Sequence, residues 1–233
     1  MDILSFGPDG WGDDLLWAAW LTIQLAVAAI LTGFTLGAGL AALKLSSLPP
    51  LRWLAECYTL IIRGVPEFLI LLIVFFGSEN LINQGALLFG FGTGFEIPKF
   101  AAATAGLALI FAAYSCEVFR GAYLAVPNGQ IEAAHAVGMS KFQTLTHIRI
   151  PQLLRFAIPG LGNLWMVILK DTSLAAVIAL DELLRVSKVA GEATGSPLIF
   201  FVAAGLIYLA LTTMSDQIRI RAERAAQKGV ASS

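Results

Sequence analysis

Along its length the chain alternates long apolar runs with short polar connections. Five runs approach or exceed the roughly 20 residues that carry a helix across a bilayer. They predict spans over about 15–43, 54–76, 100–119, 156–180 and 198–218. Lys170 and Asp171 interrupt the fourth. Residues 84–95 are apolar, rich in glycine and too short to span, and read as an interfacial stretch. Gly33 and Gly37 form a G-x-x-x-G pair, and Ala101, Ala105, Ala108 and Ala112 recur at near-helical spacing. Small residues let helix backbones approach closely in lipid. The pattern predicts packing within a helical bundle, with a subunit interface as the other outcome. The fold class is all-α: a polytopic membrane protein with 1–233 as one transmembrane domain.

Composition agrees. Of 233 residues, 58% are hydrophobic and 13% charged, where a soluble domain carries about 25% charge. The net charge of −1 gives no basic field for nucleic acid. Cys57 and Cys116 lack the spacing of a metal or disulfide framework and read as packing residues. Asp2, Asp9, Asp13 and Asp14 precede the first apolar run without Lys or Arg, so no cleavable signal is expected. Lys and Arg set topology. With the N-terminus outside, Lys44, Arg52, Arg120, Lys141, Arg149, Arg155, Arg219, Arg221, Arg224 and Lys228 fall inside. Only Lys99, Arg185 and Lys188 fall outside. The expected orientation is N-out and C-in, with a cytoplasmic loop at 120–155.

That loop carries Glu132-Ala133-Ala134, then Gly138, then Ile148-Arg149-Ile150-Pro151. Asn128 is a candidate helix cap, and the alanines favour helix with a slim surface. Gly138 suits the left-handed residue that ends a helix. Ser140 with Gln143 fits a capping box, and Pro151 is expected to close the loop. Taken alone, such a segment is also compatible with a solvated amphipathic linker. The spacing E-A-A-x-x-x-G, nine residues, then I-x-[L/I]-P resembles the docking loop of bacterial ATP-binding-cassette (ABC) importer permeases. Ile150 stands where that family usually has Leu. Arg63-Gly64-Val65-Pro66-Glu67, Glu117-Val118-Phe119-Arg120-Gly121-Ala122 and Leu169-Lys170-Asp171-Thr172-Ser173-Leu174 resemble further motifs of its polar amino-acid subgroup. The nearest likeness is to the histidine, lysine–arginine–ornithine and opine branch.

The resemblance implies a type I ABC importer permease fold in the bacterial inner membrane. Two permeases, identical or related, would form the pore. Two ATPase subunits would sit beneath them, and a periplasmic binding protein would deliver substrate. Glu132 would touch the ATPase, Ala133 and Ala134 would permit the close fit, and Gly138 the turn. The chain would be no enzyme and would hold no cofactor, with ATP and Mg bound by the partner ATPase. It carries no G-x-x-x-x-G-K-[ST] loop. The implied substrate is a polar, basic amino acid or an opine.

Charges at membrane depth line a cavity or find a partner. Asn163 lies two turns before Lys170 on nearly the same face. Adjacent residues point about 100° apart, so the expected polar stripe is Asn163, Lys170 and either Asp171 or Ser173, with the hydroxyl of Thr172 beside it, holding the substrate's carboxylate and ammonium. The alternative is that Lys170 braces the bundle. Arg63 and Glu67, four apart on the second span, would pair as a brace, line a gate or contact substrate. Glu117 and Arg120 read as a structural pair. Met139 and Phe142 read as contacts to the ATPase or within the loop. His135 and His147 have no further ligand at metal spacing, so no metal site is expected. A self-sufficient secondary transporter or channel would more often show internal repeats, and none is visible. An intramembrane enzyme would need a nucleophile with its base, or a metal cluster, and neither appears.

Overall fold

The structure, a computed structural model, describes residues 3–8, 10–92 and 94–227, with side chains up to Ala225. Asp2, Asp9 and Lys228, used above, lie outside the described residues. The described chain is helical without strands. Its helices are α1 (Gly12–Lys44), α2 (Pro49–Gly64), α3 (Glu67–Leu88), α4 (Lys99–Leu124), α5 (Asn128–Ala136), α6 (Lys141–Thr144), α7 (Ile150–Asp171), α8 (Leu183–Thr194) and α9 (Pro197–Gln227). A π turn, Leu145–Arg149, joins α6 to α7, and a 3-10 segment, Thr172–Ile178, follows α7. Five units are long and apolar enough to cross a membrane: Gly12–Lys44, Glu67–Leu88, Lys99–Leu124, Lys141–Ile178 and Pro197–Ala225.

α4 is the centre of the bundle. In its most apolar stretch 67% of residues are buried, against 11% in α3 and in α9. α1 lies along it through the G-x-x-x-G pair. A Cβ on Gly33 would stand 2.6 Å from the Ala108 carbonyl oxygen, and one on Gly37 would stand 2.0 Å from Ser115 Oγ. The motif therefore makes an intramolecular seam. Of the four alanines expected on one face of α4, Ala108 and Ala112 are buried while Ala101 and Ala105 are exposed. Ala102, Ala103 and Ala113 complete the buried side instead.

The expected second span, 54–76, is not a single helix. Pro66 has no N–H to continue the ladder, and the residue before a proline is driven to extended geometry. Val65 is extended, at φ −102° and ψ 139°. α2 ends there, and the spanning helix begins afresh at Glu67. Arg63 and Glu67 consequently sit on different helices and do not form the expected i, i+4 pair. α3 also absorbs the first part of the stretch expected at the interface. Beyond it, Asn83 Oδ1 accepts from the N–H groups of Gly94 (2.8 Å) and Phe95 (3.0 Å).

Pro151 does not close the loop. The helix runs through it, because the π turn immediately before widens the ladder and accommodates a residue that cannot donate. Lys170 and Asp171 end α7 rather than interrupting a span that resumes as α-helix. The 3-10 segment stops at Ala179, whose φ is +58°. Lys99 Nζ at the start of α4 donates to the Ala179 carbonyl at 3.1 Å.

Candidate functional site

Two places gather polar chemistry. The first is the hairpin of α5, α6 and the π turn. α5 begins after Pro127, so Asn128 is its first residue and not its cap. Gly138, at φ +84°, takes the left-handed conformation. Around it Gly138 N–H donates to His135 O (3.0 Å) and Met139 N–H to Ala134 O (3.0 Å). Ser140 and Gln143 form both halves of a capping box. Glu132 and Ala133 are exposed, but Ala134 is buried. Adjacent helical residues point about 100° apart, so the two alanines cannot share one face, and Ala134 packs inward. Val137 and Phe142, 78% and 73% exposed, present apolar surface on the same hairpin. Met139 is half-buried. His135 and His147 use Nδ1 on backbone carbonyls of Met139 (3.2 Å) and Gln143 (3.1 Å).

The second place lies within the bundle. Arg63 stacks its guanidinium on the Tyr114 ring, 5.4 Å from the centroid. Glu67 and Asp171 are charged neighbours of the same tyrosine and of each other. The structure thus gathers Arg63, Glu67 and Asp171 from three elements around α4. Asp171 Oδ2 is shielded from solvent and has no hydrogen-bond partner. Asn163 is exposed on α7 and stands outside this cluster; Lys170, also exposed, is a charged neighbour of Asp171 but forms no ion pair among the described residues. The hydroxyls of Thr172 and Ser173 donate to the carbonyls of Leu169 and Lys170, both at 2.7 Å. Thr172 is fully buried.

Below the cluster a cleft of about 630 Å³ runs between α2 and α4, past Arg63, Tyr114, Cys57, Glu56, Glu117 and Lys44. Glu117 pairs with Arg120 at 3.1 Å and also with Lys44 at the end of α1. The Lys44 partner escapes a sequence reading because it lies 73 residues away.

Sequence reasoning also missed Glu182. It is fully buried, caps α8 by accepting from Leu184 N–H (2.9 Å) and Arg185 N–H (2.8 Å), and accepts from the Tyr208 hydroxyl of α9 (3.1 Å). Burial pushes its carboxyl up to about 7 despite those three donors. Thr22 of α1 joins the node by accepting from Leu183 N–H at 3.2 Å.

A family model described as binding-protein-dependent transport system inner membrane component matches residues 14–226. The chain is 41% identical over 233 residues to the nopaline transport system permease protein of Agrobacterium fabrum, covering 100% of this chain and 99% of that one. It is 36% identical over 221 residues to the histidine/lysine/arginine/ornithine transport system permease protein of Escherichia coli, covering 95% and 96%. Among solved structures, the crystal structure of an amino acid ABC transporter with histidines is similar at a TM-score of 0.79 and 28% identity, over 92% of this chain and 95% of that one.

Proposed function

Because the chain belongs to the binding-protein-dependent transport system inner membrane components, the permease subunits of ABC importers, we propose that it carries a basic amino acid or an opine inward. One observation carries the substrate class: Glu67 and Asp171 converge beside Tyr114, and Asp171 Oδ2 has no partner. Buried polar atoms in folded proteins are almost always satisfied. An ammonium or guanidinium group would satisfy this one. Arg63, held on Tyr114, would take the substrate's α-carboxylate. The cleft toward Lys44 and Glu117 would be the onward path. Asn163 and Lys170 would face the pore from the exposed side of α7, where a second permease, identical or related, closes it.

Force would enter at the hairpin. Glu132, Ala133, Val137 and Phe142 would seat in a groove of an ATPase dimer that holds the ATP and Mg. Their exposure supports this role, since a slim, apolar tip in a soluble loop otherwise lacks cover. In the orientation proposed, the N-terminus would lie in the periplasm, where a binding protein would deliver substrate, and the hairpin in the cytoplasm. The Lys and Arg asymmetry supports it.

The test is uptake of labelled lysine, arginine, histidine and glutamine by the reconstituted complex. The basic substrates should be preferred. Glu132→Ala and Gly138→Val should leave membrane insertion and basal ATP hydrolysis intact while uptake falls at least about tenfold. Gly138→Val alone strains the turn by about 1–2 kcal/mol. Wild-type uptake in both variants would overturn the docking role, and preference for glutamine would overturn the substrate class.

A further inference from the structure

The hairpin encloses a second feature that force transmission does not use. A cleft of about 310 Å³ opens between the end of α4 and the α5–α6 hairpin, lined by Tyr123, His135, Lys141, Thr144, Leu145 and Arg149. Among the described residues no carboxylate lines it. Neither Lys141 nor Arg149 forms an ion pair among the described residues. Arg149 is held in place: its guanidinium lies over the Tyr123 ring, 4.2 Å from the centroid, and one terminal nitrogen donates to the Tyr123 hydroxyl. Its Nε is buried and has no hydrogen-bond partner among the described residues. His135 Nδ1 faces the Met139 carbonyl, which makes it the protonated nitrogen and leaves Nε2 free.

The π turn sets this register. Lys141 and Arg149 are eight residues apart, which in an unbroken α-helix leaves them about 80° apart around the axis. A π turn takes up one extra residue, so the separation behaves as seven, or about 20° from alignment. The same widening that accommodates Pro151 therefore brings both cations to one cleft.

We propose that this cleft binds a phosphate group, clamped by Arg149 and Lys141. Arg149 supplies a fixed planar donor set, which suits phosphate oxygens. Lys141 is exposed and adds a mobile point charge. The chemistry fits the headgroup of an anionic phospholipid or free inorganic phosphate, and the apolar wall of Leu145 is compatible with both. Proposed function could fail without touching this site, since no residue of the clamp belongs to the substrate cluster or to the exposed docking tip.

The test is calorimetric titration of the full-length chain, purified within its transport complex in an uncharged detergent. The titrants are dihexanoyl phosphatidylglycerol, dihexanoyl phosphatidylcholine and inorganic phosphate. Phosphatidylglycerol should bind more tightly than phosphatidylcholine. Lys141→Gln and Arg149→Gln should each weaken binding about fivefold, and the double variant at least about tenfold. Arg149→Lys keeps the charge but loses the fork and the stack, and should fall between wild type and Arg149→Gln. Lys141 is a surface residue, so Lys141→Gln tests the clamp without risk to folding. Arg221→Gln, on the exposed face of α9, is the control and should change nothing. Saturation by phosphatidylglycerol alone assigns the site to lipid, and saturation by inorganic phosphate assigns it to the free anion. The proposal is overturned if neither binds, if the double variant binds like wild type, or if Arg221→Gln weakens binding equally.

Discussion

Asp171 and Glu182 lie eleven residues apart, on either side of the 3-10 segment, and both place carboxylate oxygens away from solvent. Their surroundings differ. Glu182 accepts from two backbone N–H groups and the Tyr208 hydroxyl, and with Thr22 it ties α1, α8 and α9 together. Asp171 has a second carboxylate, Glu67, and the Lys170 ammonium as charged neighbours, and an oxygen that meets no donor among the described residues. A buried acid with its acceptors filled is a brace, because removing it leaves several donors without partners. A half-buried acid with one shielded, open acceptor oxygen is costly to keep, and it marks where a cationic ligand would complete the site. Burial differs as well, Glu182 being fully buried and Asp171 only half-buried, but it does not by itself assign a role. The inventory of donors does.

The sharpest way to break this contrast is Asp171→Asn. It removes the charge but keeps the shape, so uptake of basic substrates should fall by about tenfold or more. Thermal stability in detergent should hold or rise, since an unsatisfied charge is relieved. Equal loss of uptake and stability would make Asp171 a brace like Glu182. The converse variant is Glu182→Ala, which leaves the Leu184 and Arg185 N–H groups and the Tyr208 hydroxyl unpartnered in a closed node. It should cost about 3 kcal/mol and lower the unfolding midpoint by roughly 5–10 °C. Substrate selectivity of the surviving protein should be unchanged.

The two acids also show how far residue order carries. Features decided within a few residues were legible: the left-handed Gly138, the Ser140–Gln143 capping box, and the close approach allowed by Gly33 and Gly37. Proline effects were legible only in part. Pro66 broke a run that hydropathy alone presents as continuous, and so moved Arg63 and Glu67 onto separate helices. Pro151 did the opposite, because a π turn absorbed the missing donor. Glu182 was invisible in the sequence. Its neighbour Asp181 is a charged residue in the same connection, yet its side chain is 74% exposed and pairs with Arg185 at the surface. Which of two adjacent acids turns inward is fixed by Tyr208, 26 residues onward on α9.

The finest discriminator is pH. In the folded protein the Glu182 carboxyl is raised to about 7, from an ordinary value near 4.5, because burial outweighs its three donors. The folded state then holds a proton that the unfolded chain releases, so the stabilisation is complete below about pH 4.5. It is lost as pH rises toward 7 and stays lost above it. Between pH 6 and 8 the loss should be about 1 kcal/mol, read as a falling unfolding midpoint. Glu182→Gln mimics the protonated form and should flatten that slope while sparing most of the node. Asp171→Asn should leave the slope as it is in the wild type. If instead Asp171→Asn flattens the slope and Glu182→Gln does not, the titrating brace is Asp171, and the roles assigned to the two acids must be exchanged.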